Sequence, residues 1–132
     1  MANSPSNINF SGADTYISAA LSGLAARQRT IANNVANVDT PNFKASEVNF
    51  EQTLQNAISS GVSGSRVDPS SLKAAVTQTT LVNGTSTRGD GNNVDIDREM
   101  EMLGETNVTY SALTQALSSR LGILRNVING GR

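Results

Sequence analysis

The residues of this chain that could do acid–base or metal chemistry are concentrated in one short stretch, where Asp90, Asp95, Asp97, Glu99 and Glu101 lie close together. A calcium loop places oxygen ligands at positions one, three, five and twelve, with glycine at six. Asp90, Asn92 and Glu101 match positions one, three and twelve, but Val94 stands at five and Asp95 where the glycine belongs. The stretch therefore reads as a turn leading into an acid-rich helix start, where negative charge complements the helix dipole. Paired carboxylates that cleave glycosides need a walled pocket with aromatic platforms, and the chain has three Phe, two Tyr and no Trp. It has neither His nor Cys, which removes the commonest general base, nucleophile and transition-metal ligands. We expect no catalytic, cofactor-binding or metal-binding residues and no small-molecule substrate.

The other chemistry on offer is hydrogen bonding. Asn33, Asn34 and Asn37 crowd together where asparagine is a mediocre helix former. Two readings stay open for them: solvated polar surface, or side-chain amides that donate and accept across a subunit interface.

The elements that carry these residues can be read from apolar spacing. Ser11 and Asp14 have capping-box spacing, and from there Ile17, Leu21, Leu24, Gln28, Ile31, Val35 and Val38 recur at alternating intervals of four and three. That is a heptad seam interrupted by one amide, and it predicts a helix over 13–38 that stops before Thr40-Pro41. Asn49 and Gln52, with Phe50, Leu54, Ala57 and Ile58 on one face, predict a short helix over 49–60 that Gly61 ends. Residues 61–93 turn to Gly, Ser, Thr, Asn and Asp with scattered apolar residues, so this segment is expected to be irregular and mobile; 72–82 fits either a short strand or a helical turn. A second long helix is expected over 97–129. Its seam is Met100, Leu103, Tyr110, Leu113, Leu117, Leu121, Leu124 and Ile128, with Asn107 in the gap. Met102, Ala112, Ala116, Ile123 and Val127 add apolar surface beside that stripe, more than one partner helix covers. Gly23, Gly104 and Gly122 each weaken a helix, which a close helix crossing or simple tolerance explains.

The expected fold is all-α and elongated. Long N- and C-terminal helices pack as a coiled-coil-like pair, with one short extra helix and a partly disordered middle, as a single unit of 132 residues. Hydrophobic residues make up 37% of the chain and aromatics 4%, below the usual globular share, so part of the burial must come from partners. The net charge of −1, without any basic cluster, argues against nucleic acid. No apolar run approaches the roughly 20 residues that span a bilayer. The first basic residue is Arg27 and Met1 to Gly12 contains no apolar core, so a cleavable secretion signal is not expected.

The run Ile31-Ala32-Asn33-Asn34-Val35-Ala36-Asn37-Val38-Asp39-Thr40-Pro41-Asn42-Phe43-Lys44 resembles the N-terminal signature of the flagellar rod, hook and hook-associated axial proteins. Arg27 matches the usual approach to that motif. Asp90 to Met100 and the closing helix look like those of the small rod subunits, and the short middle lacks the inserted domains of the hook and distal-rod types. The resemblance implies a structural subunit of the proximal rod, part of the tube that carries torque from the membrane ring to the hook. It implies export through the flagellar type III apparatus without cleavage to the periplasmic side. The implied partners are other copies and other rod subunits, the membrane (MS) ring protein and the rod–ring adaptor. The residues expected to pack within and between subunits are Ile17, Leu21, Leu24, Ile31, Asn33, Asn34, Val35, Asn37, Val38, Pro41, Phe43, Tyr110, Leu113, Leu117, Leu121, Leu124 and Ile128. Competing readings are another small rod type and a soluble helical export adaptor or chaperone.

Overall fold

The computed structural model describes residues 10–62, 68–84 and 88–130. In chain order the elements are α1 (Phe10–Ala36), β1 (Ser46–Glu47), α2 (Phe50–Val62), α3 (Pro69–Val76), β2 (Thr80–Leu81) and α4 (Ile96–Gly130). The architecture is all-α with long terminal helices packed on each other, as expected. The two strands form one short antiparallel ladder with Ser46 opposite Leu81 and Glu47 opposite Thr80. At 27 and 35 residues, α1 and α4 extend for ~40 and ~52 Å at the usual rise.

The core lies around α1. Ala19, Ala20, Leu24 and Ala26 of α1 bury against Val48, Phe50, Leu72 and Val76, and Tyr16, Leu54, Ala57 and Leu113 pack on the margin. So α1 is covered by α4 along one side and by α2 and α3 along another. The second contact uses small residues: Ala19, Gly23, Ala26 and Thr30, all buried, recur at intervals of four, three and four. A Cβ on Gly23 would fall 2.6 Å from Cγ and 2.7 Å from Cβ of Phe50, so the absence of a side chain there is what lets α2 approach. Around Gly104 and Gly122 there is nothing within 4 Å.

Within the segment 61–93, expected to be irregular, 63–67 and 85–87 lie outside the described residues, and 68–84 holds a second short helix that belongs to the core. Asp68 is the N-cap of α3, accepting from the Ser71 N–H at 2.8 Å, and Pro69 sits in its first turn. Hydroxyls of Ser70 and Ser71 also donate to that carboxylate. Led by the Ser70 bond, these contacts pull its pKa down to about 2. Leu72, Ala75 and Val76 then share one face, and Leu72 and Val76 are buried. Both readings of 72–82 were partly right, since a helix and then a strand occupy it.

Helix ends differ from expectation by a few residues. α1 begins ahead of Ser11, so the proposed box is not its cap, and Asp14 instead pairs with Arg120 at 2.7 Å. α2 runs past Gly61 to Val62, and Gln52 turns toward Asn56 rather than back to Asn49.

The packing predicts opposite signs for two identical changes. Gly23→Ala gains helix propensity but drives a methyl into Phe50, and should destabilise by ~1–3 kcal/mol. Gly104→Ala, with open space around it, should stabilise by up to ~1 kcal/mol. Urea melts of the two variants beside the parent chain check the pair.

Candidate assembly surface

Three polar contacts set how α4 lies on α1. The Asn34 Nδ2 donates to Glu99 Oε1 at 2.9 Å, Gln28 Nε2 donates to Asn107 Oδ1 at 2.8 Å, and Arg120 pairs with Asp14. Residue numbers fall along one helix as they rise along the other, so the helices are antiparallel in a single register. The two amides that interrupt the apolar seams, Gln28 and Asn107, answer each other across the pair.

Between these ties, Ile17, Leu21, Leu24, Ile31 and Val35 of α1 are half-buried or buried, as are Leu103, Leu113, Leu117 and Leu124 of α4. The expected seam of α4 needs correction elsewhere. Met100, Tyr110, Leu121 and Ile128 are exposed, and the inward positions are held by Glu99, Thr106 and Arg120. A 3.6-residue helix drifts about 20° per heptad from a strict seven-residue repeat, so positions chosen by sevens rotate off the contact. Beyond Leu124, α4 also outruns the described part of α1.

The asparagine-rich segment closes the end of α1. Asn34, fully buried, donates to the Ser46 carbonyl at 2.8 Å and accepts from the Ser46 N–H at 3.0 Å. It is therefore neither solvated surface nor free to bond a neighbouring subunit. Asn37 is half-buried and bonds locally to the Asn33 carbonyl and Thr40 hydroxyl. Asn33 and Pro41 are exposed, and Val38 and Phe43 half-buried.

The acidic stretch completes the same knot. Asn92, also fully buried, points its amide nitrogen at the carbonyls of Asn37, Val38 and Thr40 at 2.8, 3.0 and 2.8 Å, so it ties down the turn that follows α1. Asn93 accepts from the Ala45 N–H at 2.6 Å and donates to the Val82 carbonyl at 3.0 Å. Asp90 accepts from the Asn92 N–H at 3.1 Å and pairs with Arg88 at 2.9 Å. With the Asn92 bond foremost, these hold its pKa below the ordinary carboxylate value. Gly91, at φ 75°, brings its backbone against Asn42, itself at φ 60°; a Cβ there would meet Asn42 Oδ1 at 2.7 Å. Arg27 donates to the Val48 carbonyl at 2.9 Å, pairs with Glu51 at 2.6 Å and lies 4.7 Å over the Phe50 ring. No group of three or more acidic, His or Cys side chains among the described residues is placed to hold a metal ion.

The outer face of α4 is different in kind. Val108, Ile123 and Val127 are 72, 63 and 68% exposed, and with exposed Ala112 and Ala116 they form a stripe turned away from α1. Between Glu105 and the end of the helix at Gly130 the charged residues are Arg120, already paired, and Arg125. A long exposed helical surface that is apolar, neutral and rich in small residues has the character of an interface core, which is depleted in charge.

The model for flagella basal body rod proteins matches residues 18–44, most of α1 and the turn after it. A flagellar basal body rod protein FlgB of Bacillus subtilis is 35% identical over 127 residues, covering 93% of this chain and 98% of the relative. The chain belongs to the flagellar basal body rod protein family. FlgB of Borrelia hermsii is 41% identical over 103 residues, covering 69% of this chain and 76% of the relative, and FlgB of Escherichia coli is 27% identical over 123 residues, covering 85 and 89%. Within this rod protein, the matched segment contains both Arg27 and Asn34, the residues that tie α1 to the β1 and α2 segment.

Sequence reasoning missed Asn92, Asn93 and Glu99 as packing residues. A signal for Glu99 was present: it stands four before Leu103 and fourteen before Leu113, on the inward face, but its charge led to a dipole reading. Asn92→Ala should remove a donor from the Asn37 and Thr40 carbonyls in the turn after α1, while the Val38 carbonyl keeps Arg88, and destabilise the chain by ~1–3 kcal/mol. Urea unfolding, with amide exchange over 36–43, measures it.

Proposed function

We infer that this chain is a structural subunit of the flagellar basal-body rod, and that α4 joins subunits through the face it turns away from α1. The observation that carries the reading is the neutral apolar stripe Val108, Ala112, Ala116, Ile123 and Val127 on a helix whose opposite side is already occupied. A lone globular domain gains nothing from such a surface, whereas a tube of stacked copies buries it in every subunit. Membership in the rod family supports the same role.

Several finer points belong to this proposal. The chain sits in the proximal rod and conveys torque, with the membrane (MS) ring protein and rod–ring adaptor below and other rod subunits above. It reaches the periplasmic side through the type III export apparatus without loss of a signal segment. The interface draws on Leu121, Ile128, Asn33 and Pro41, which are exposed in the monomer. Leu117 and Leu113, half-buried, serve the subunit's own α1–α4 contact. The role is structural rather than catalytic.

Ile123→Asp with Val127→Asp tests the reading, because both positions are exposed in the monomer and their change leaves the core alone. Cells carrying only the double variant should be non-motile and yield basal bodies without this subunit, while the purified variant keeps the helicity and melting temperature of the parent. Normal swimming would reject the stripe as an assembly surface.

A further inference from the structure

Glu99 is 4% exposed, and only one of its two carboxylate oxygens is bonded. Oε1 accepts from Asn34, while buried Oε2 has no hydrogen-bond partner among the described residues. Beside it lies a cavity of about 30 Å³, lined by residues that include Ser46 and Glu47 of β1, Asn93, and Asp95, Arg98 and Met102 at the start of α4. The charges facing Glu99 do not settle it: Glu47 from β1 and Asp95 from the start of α4 repel a carboxylate, and Arg98 attracts it from a side chain that is 59% exposed and directed to Glu47 at 3.8 Å. α1 contributes the neutral Asn34 amide. A buried ionised carboxylate without a paired cation is costly, and a neutral acid in the same place costs much less.

We propose that Glu99 is a proton-operated catch: protonated, it beds into the buried junction between the start of α4 and the end of α1; ionised, its desolvated charge loosens that junction. The geometry makes the catch consequential, because Asn34 holds both Glu99 and the backbone of Ser46. One carboxyl therefore governs how α4, α1 and the β1 segment meet. Burial, the largest influence, raises the Glu99 pKa, against the opposing Asn34 bond and Arg98, with Asp95 and Glu47 adding to the rise. The folded junction thus binds the proton more tightly than the open chain does, and its stability is full below the unfolded pKa and lost as pH rises through the folded one. Asp68 and Asp90, with lowered pKa values, act in the opposite sense on the whole chain, so the measurement has to be local. The inference does not rest on the rod reading and is tested on the monomer.

The test is carboxyl carbon NMR of Glu99 in the full-length monomer between about pH 4 and pH 8, with the exchange protection factor of the Ser46 N–H read across the same range. The Glu99 carboxyl should titrate above the exposed glutamates. Ser46 protection should fall as it ionises, by about tenfold for each unit of the rise. In Glu99→Gln the Ser46 N–H should keep its low-pH protection throughout. A Glu99 carboxyl that titrates with the exposed glutamates, as one satisfied by a buried water would, overturns the proposal. So does parallel loss of protection in the Gln variant. The titration of the parent chain needs no substitution, so a variant that fails to fold leaves the test intact.

Discussion

The end of α1 is where the rest of this structure is decided. The last carbonyls of the helix find nearby donors in the Asn37 and Val38 N–H groups, but the turn that follows is held from far along the chain: Asn92 supplies its amide to three carbonyls at 37–40. Asn34, one turn earlier, holds Ser46 and Glu99. Because Asn92 sits just before α4 and Glu99 within its first turn, pinning the end of α1 and the turn after it also places α4. The antiparallel register is the consequence, with Gln28 meeting Asn107 and Asp14 meeting Arg120 further along. That register in turn makes α4 extend past the described part of α1 and show a face to solvent.

The two long helices were legible because their apolar residues are large and periodic. Ile17, Leu24, Ile31, Leu113 and Leu117 announce a face, and packing keeps them on it. The second covered side of α1 was written in small residues, Ala19, Gly23, Ala26 and Thr30, whose spacing is as regular but which a search for large side chains passes over. α3 was only half legible for a related reason. Leu72 and Val76 are few, and their helix rests on the cap Asp68 and on Pro69, in a stretch whose composition resembles a linker. The polar knot was the least legible part. Asn34, Asn92 and Glu99 look like surface residues by type, and their burial depends on partners that include groups more than fifty positions away. The family signature pointed to the right segment while leaving open whether its amides work within the subunit or between subunits.

The low apolar content of the chain takes on a clear meaning in this arrangement. Large side chains are spent on the α1–α4 seam and on the few contacts of α2 and α3, and the monomer has none left to cover the outside of α4. Such a subunit keeps only modest stability of its own, since a small chain buries a limited fraction of its surface. Binding between copies then adds to folding stability by mass action. Folding and assembly are thereby coupled through one helix, whose inner face belongs to the subunit and whose outer face belongs to the tube.

A bare apolar helix face is also a hazard before assembly, and its composition limits that hazard. Between Val108 and Val127 the large apolar residues of the stripe are separated by Ala112 and Ala116, and Thr109, Ser111, Thr114, Gln115, Ser118 and Ser119 surround them. Small and polar side chains thus dilute the apolar surface between its two ends. Small residues have a second effect, allowing another helix to come close enough for backbone and side chains to interdigitate. With almost no charge on the face, pairing there cannot be steered by long-range fields. Recognition must come from fit at short range, and a contact of that kind changes little with salt, as suits a shaft that has to hold its shape under load in whatever medium surrounds it.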